Sequence, residues 1–178
     1  MIRPATPSDT PGISVVHVDT WRKAYKGIVP DDYLDGLSYE ESGRLWQDVI
    51  TAGDGCVFVA EDEDGVFGFA SGSPGKRFSR DLREYEGELK TVYVLPSHQG
   101  TGAGRQLVGA VVQYFVERGM SSMLLWVFAE NRSARRFYKS LGGVLVAEDG
   151  FELGGAWLSE VAYGWEDLGV LLAGFDRG

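Results

Sequence analysis

Three glycines at alternate positions, Gly100, Gly102 and Gly104, stand within the run Gln99-Gly100-Thr101-Gly102-Ala103-Gly104-Arg105. A backbone without Cβ atoms can turn tightly there and aim successive N–H groups at one anion, and a helix opening after the loop adds a favourable dipole. The chemistry that suits such a loop is capture of a phosphorylated ligand. A mononucleotide loop needs Lys and then Ser or Thr after its last glycine, whereas this chain has Arg105 and Gln106. A dinucleotide fingerprint spaces its glycines G-x-G-x-x-G, and here the spacing is G-x-G-x-G. A second pair, Asn131 and Tyr138, stands seven residues apart, which is nearly two helical turns. On a helix both side chains can address one ligand. The same residues also admit a plainer reading: an ordinary strand-to-helix turn, a helix cap and a core aromatic.

The neighbouring segments supply the elements that would position these groups. Residues 88–94 are rich in β-branched and aromatic side chains and stop before Pro96, as a strand does. Leu107, Val108, Val111, Val112, Phe115 and Val116 then repeat with helical spacing until Gly119. The glycine loop therefore joins strand to helix. Residues 124–128 read as a buried strand, Asn131 as an N-cap, and Gly142 as the end of the following helix.

In this context Gln99, Gly102 and Gly104 resemble the cofactor-binding motif of the GNAT superfamily of N-acetyltransferases, and Asn131 and Tyr138 occupy a second position characteristic of it. The resemblance implies acetyl-CoA as cosubstrate. It gives residues 100–105, that is Gly100, Thr101, Gly102, Ala103, Gly104 and Arg105, the pyrophosphate, and Asn131 a further cofactor contact. Val92, Tyr93 and Val94 would pair with the pantetheine arm through their backbones, one N–H polarising the thioester carbonyl. Tyr138 would protonate the departing thiolate. Glu88, eleven residues before Gln99, would be the base, acting through water; it is equally readable as one of the solvated carboxylates Glu84, Glu86 and Glu88. Some relatives place an acid five residues before the Asn, where this chain has Trp126.

Acetyl transfer to an amine sets these roles. An alkyl amine with a pKa of about 10 is mostly ammonium at neutral pH and must lose a proton before it attacks. A tyrosine hydroxyl, pKa about 10, stays protonated yet can donate to a thiolate whose conjugate acid lies at about 8.5. Direct transfer in a ternary complex is expected, since Cys56 reads as a small buried hydrophobe and offers no acyl acceptor. Trp21, Tyr25 and Trp126, with Tyr33 and Phe128, could line the acceptor's pocket or simply pack the core. The acceptor is an amine-bearing substrate of open identity, and the donor acyl group could be larger than acetyl. A non-catalytic acyl-CoA-binding sensor or regulatory module is the competing class.

The 178 residues, 44% hydrophobic, suit a single domain spanning 1–178 with a real core. A formal charge of −9 argues against nucleic acid as a partner. The cations Arg105, Arg132, Arg135, Arg136 and Lys139 gather around the two motifs, for an anionic ligand or as a solvated face. His17 and His98 are isolated, and no metal site is expected. No apolar run of membrane length and no signal peptide is evident, which points to a cytoplasmic protein without membrane contact. Homodimerisation enters only as something common in the resembled superfamily.

Along the chain we expect a strand at 2–6, a helix capped by Ser8 or Asp9 and running to about Tyr25, and a turn at 30–32. A helix at 38–50 with Ser38 and Glu41 as a capping box follows, then a hairpin of strands 56–61 and 66–73. After the two motif units come strands at 144–147 and 158–165 joined across 150–157, and a short tail at 168–178. Gly143, where relatives commonly carry an aromatic, is expected to loosen the strand after it. The fold class is α/β, a mixed, mainly antiparallel twisted sheet of about seven strands flanked by helices. The resemblance adds a sheet that splays between its fourth and fifth strands.

Overall fold

Runs of alternating and β-branched residues form seven strands in one sheet, ordered β1-β2-β3-β4-β5-β7-β6. They are β1 (Ile2–Pro4), β2 (Cys56–Asp62), β3 (Gly65–Pro74), β4 (Gly87–Val94), β5 (Met123–Phe128), β6 (Val144–Leu153) and β7 (Ala156–Trp165). A computed structural model describes residues 1–75 and 85–175; Glu84 and positions 176–178 lie outside the described residues. Every neighbouring pair is antiparallel except β4 and β5, which run parallel. That one parallel pair is short: its register holds Gly87 opposite Met123 and Glu88 opposite Leu124, and there the pairing ends. Beyond it the two strands diverge, as the resemblance implied.

Helices cover both faces. α1 (Thr10–Ala24) and α3 (Tyr39–Ala52), with the short α2 (Asp31–Asp35) between them, lie on one side. There Ile13, Val16 and Trp46 pack on Val57, Val59 and Phe69. α4 (Ala103–Glu117), α5 (Arg132–Ser140) and α6 (Leu168–Phe175) lie on the other. α4 is anchored by Leu107, Val108, Val111, Val112 and Phe115, all fully buried. At about 1.5–3 kcal/mol for each such side chain removed from water, that stripe fixes the helix, and so the loop that opens it, against the sheet. Ser38 caps α3 by accepting from the Glu41 N–H at 3.3 Å. At the sheet's first edge the Arg3 guanidinium donates to both carboxylate oxygens of Asp9, each at 2.8 Å, and to those of Glu61 at 2.6 and 2.7 Å. This fork ties β1 to the start of α1 and to β2.

Several expectations need correction. The turn expected at 30–32 opens the short helix α2, with Asp31 and Asp32 in its first turn, where acidic side chains favour the helix dipole. The strand expected at 144–147 runs on to Leu153 and pairs with β7 along its length. What reverses the chain is Gly154-Gly155, with φ of 60° and 80°, two consecutive left-handed residues suited to a tight hairpin. The tail expected at 168–178 contains helix α6, because Leu168 is fully buried in the main core and Leu171, Leu172 and Phe175 pack against it. The strand after Gly143 pairs with β7 but shifts register between Leu145 and Ala147. A Cβ on Gly143 would meet the Trp165 ring at 2.7 Å, so Trp165 fills the space an aromatic at 143 would take. Among the described residues no helix is long and apolar enough to cross a membrane.

Candidate active site

The chain leaves β4 through a single 3-10 turn at Pro96–His98 and enters α4 through the glycine loop. Gly100 and Gly102 take φ of 77° and 89° and face open space, so their requirement for glycine is conformational, not steric. Side chains hold the loop from outside. The Gln99 amide donates to the Val94 carbonyl at 3.0 Å, and Thr101 Oγ1 donates to the His98 carbonyl at 2.7 Å. The His98 ring stacks on Phe67 at 4.2 Å and contacts Asp62 through Nε2 at 3.0 Å. Gly102 is the N-cap of α4 and supplies no side-chain bond, which leaves the helix's first-turn N–H groups directed at the space in front of it. This cradle fits a diphosphate.

Arg105 borders this space, and its Nη2 donates to the Gly174 carbonyl at 2.6 Å while the guanidinium lies 4.8 Å from the Phe175 ring centroid. Arg135 is likewise used internally, bonding the Tyr163 hydroxyl at 3.1 Å and the Ala129 carbonyl at 2.7 Å. Both side chains are committed to packing the helices that flank the cradle, so the expected cationic cluster is partly a structural brace.

A cavity of about 750 Å³ opens in the divergence of β4 and β5. It brings together most of the residues singled out from the sequence: Val92, Tyr93 and Val94 on β4, Gln99, Gly100, Gly102, Gly104 and Arg105 in the cradle, Asn131 and Tyr138 from α5, Trp21 and Tyr25 from α1, and Trp126 with Phe128 from β5. Thr101 in the loop and Ala103 at the start of α4 are not in the cavity wall, and Tyr33 packs against Trp21 with the rings 6.3 Å apart. The Asn131 side chain accepts from the Ala134 N–H at 3.1 Å, so it does cap α5, and it does so at the cavity's edge.

Glu88 stands apart from that wall. It borders a separate groove of about 1160 Å³ and holds an ion pair with Lys90 at 2.9 Å, while Lys90 itself borders both spaces. β4 carries a bulge at this point, Ser71 facing Thr91 and Gly72 facing Leu89, so Lys90 is the extra residue.

The hydroxyls in the cavity are kept neutral. Tyr138 is buried and its pKa is pushed well above the usual tyrosine value, chiefly by desolvation and then by Tyr93. Tyr93 and Tyr25 are raised for the same first reason. Tyr93 accepts from the Trp21 indole N–H at 3.0 Å and meets the Tyr25 hydroxyl at 3.4 Å. Tyr138, by contrast, makes no hydrogen bond among the described residues and so has a free proton to donate. Cys56, half-buried, has a thiol pushed up to about 12 by burial, which keeps it from forming a thiolate at neutral pH. His17, driven down to about 4 by burial, is held by Ser42 and Trp46 on the far side of Tyr93.

Residues that sequence reasoning missed include Glu160, Lys90, Phe137 and Phe151, all in the cavity wall. Glu160 enters because β7 sets it opposite Phe128 of β5 and Asp149 of β6. Its carboxyl is raised above the ordinary value by burial first, then by Asp149 and Glu88. No local pattern marks it; only the register of three strands does.

Comparison with known proteins follows the same lines. Residues 18–143 match the Acetyltransferase (GNAT) family. The chain is 42% identical over 171 residues to the uncharacterized N-acetyltransferase YuaI of Bacillus subtilis, covering 96% of this chain and 95% of that one. Among solved structures it resembles a ribosomal-protein-alanine N-acetyltransferase from Brucella melitensis, with a TM-score of 0.73 at 24% identity over 93% of this chain and 99% of that one. It also resembles yncA, a putative acetyltransferase from Salmonella typhimurium solved with its cofactor acetyl-CoA, with a TM-score of 0.70 at 22% identity over 93% of this chain and 92% of that one. The two structures support the fold.

Proposed function

The chain belongs to the acetyltransferase (GNAT) family and is an acyltransferase, and from that premise we propose that it transfers an acetyl group from acetyl-CoA directly to a primary amine. One observation carries the reading. The cavity in the β4–β5 divergence joins a glycine-lined helix start without a side-chain cap, a strand edge not paired with β5 and a buried tyrosine hydroxyl that has no hydrogen-bond partner among the described residues.

Each part has a task in the transfer. The first-turn N–H groups of α4 hold the donor's diphosphate, a role for which Gly100 and Gly102 keep the approach open. Backbone groups of Val92, Tyr93 and Val94, released from pairing with β5, hydrogen-bond the pantetheine arm as a neighbouring strand would. One N–H among them faces the thioester oxygen and stabilises the oxyanion that forms there, a contribution of roughly 3 kcal/mol in comparable sites. Asn131 orients the donor from the start of α5. Tyr138 gives its proton to the sulfur as the C–S bond breaks and regains one released by the amine nitrogen as the C–N bond forms. Glu88, beside Lys90 in the adjoining groove, is the proposed base and acts through water. Trp21, Tyr25 and Trp126 bound the acceptor's end of the cavity.

Calorimetry with acetyl-CoA, followed by thiol release in the presence of a panel of primary amines, tests this reading. Binding with amine-dependent thiol release is expected. Donor binding without release for any amine would identify an acyl-CoA-binding module, and no heat of association would remove the cradle assignment.

A further inference from the structure

Among the described residues, Glu160 is the one carboxylate in the cavity wall, and it sits at the end that is lined by rings. Trp21 meets Tyr25 edge to face at 4.8 Å, Tyr25 meets Phe128 at 4.8 Å, and Phe128 stacks on Phe151 at 6.0 Å. Phe128 is also the residue directly opposite Glu160 in the sheet. A lone carboxylate at the rim of an aromatic wall is a receptor for an organic cation: ring faces attract the charge, and the carboxylate fixes one N–H.

We propose that Glu160 receives the acceptor's ammonium group, so that the preferred acceptors are primary alkylamines with an apolar or aromatic body seated against Trp21, Tyr25, Phe128 and Phe151.

Glu88 is less suited to this contact, because Lys90 neutralises it at 2.9 Å and it lies outside the cavity wall. The charged groups that act on Glu160 are Asp149 on β6 and Glu88 on β4, and the same cavity wall holds Lys90 on β4 and Lys23 and Tyr25 on α1. Asp149 adds negative potential, which favours a cationic guest, while Glu88 is offset by its ion pair with Lys90. Burial and these two neighbours also raise Glu160, bringing it closer to a base's working range than a solvated carboxylate is.

The fate of the proton rests on the acyl-transfer reading; the binding contact does not. One proton passes from the ammonium to the Glu160 carboxylate, which on this inference takes the base's place given above to Glu88, and on to solvent. The freed lone pair forms the C–N bond as the C–S bond breaks, and the nitrogen's next proton replaces the one Tyr138 has given to sulfur.

The test is calorimetric titration of 2-phenylethylamine into CoA-saturated protein, repeated for Glu160→Gln and Glu160→Asp, with thiol release from acetyl-CoA measured in parallel. The half-exposed position tolerates both changes. Glu160→Gln is expected to weaken amine binding about tenfold or more and to flatten the acidic limb of kcat/KM, with Glu160→Asp recovering part of the affinity. Wild-type affinity in Glu160→Gln, or no amine binding by the wild type, would overturn the inference. Glu160-dependent amine binding without thiol release would support it while overturning the transfer reading.

Discussion

Tyr138 and Gly102 are the single residues on which the chemistry and the donor's seat most depend. Tyr138 is buried, raised and without a hydrogen-bond partner among the described residues, so removing only its oxygen leaves the packing against Phe137, Tyr163 and Trp165 in place. Tyr138→Phe is expected to lower kcat about a hundredfold with the KM for acetyl-CoA nearly unchanged; a kcat within threefold of wild type would reassign the acid. Gly102 has φ of 89° with open space around it. Gly102→Ala therefore meets no neighbour and suffers only the left-handed penalty of about 1–2 kcal/mol, roughly a tenfold loss of donor affinity where the loop relaxes out of shape. Unchanged affinity in calorimetry would mean that the cradle does not need this backbone. These positions are legible in the sequence because their function is local: alternate glycines and an i, i+7 pair read the same on paper as in the fold. Glu160 is invisible there, since its place beside Phe128 exists only once β5, β6 and β7 are in register.

At the scale of elements the sequence shows what each segment is more readily than what it touches. The strand, loop and helix around the glycines, and those around Asn131, follow from period and punctuation alone. α6 escapes because Leu168–Phe175 is nearly uniformly apolar and carries no polar face to set a period. Its role is nonetheless definite: Phe175 lies under Arg105 and beside Gly109, and Gly174 accepts from the same guanidinium. The helix braces the first turns of α4. Phe175→Ala is expected to lower stability by about 1–2 kcal/mol, the cost of a half-buried ring, and to weaken acetyl-CoA binding a few-fold. A denaturation midpoint and a donor affinity both equal to wild type would remove the bracing role. The partners of Arg105 and Arg135 are unreadable for the same reason, since charge in a sequence does not reveal which carbonyls will claim it.

Across the whole molecule, charge and sheet geometry set the behaviour. The Arg3 guanidinium holds Asp9 well below the usual carboxylate range, so the folded state binds that proton less readily than the unfolded chain. The resulting stability is fully present above the unfolded value of about 3.9 and is lost as pH falls through the folded value. Melting curves should show wild type losing stability steeply below about pH 4, whereas Asp9→Asn starts lower and falls less; parallel curves would discount the fork. A larger consequence comes from the two-residue pairing between β4 and β5. Strands β1 to β4 and β5 to β7 are two panels joined at one corner, and on the proposed reading the donor's arm is the lacing that closes the open seam. The amides of Val92 and Val94, which alternate with those bonded to β3, should then exchange quickly in the free protein and slowly with acetyl-CoA, and saturation at about a hundred times Kd should add about 2.7 kcal/mol of stability. The supply of donor would thereby govern how long each copy survives as well as how fast it works.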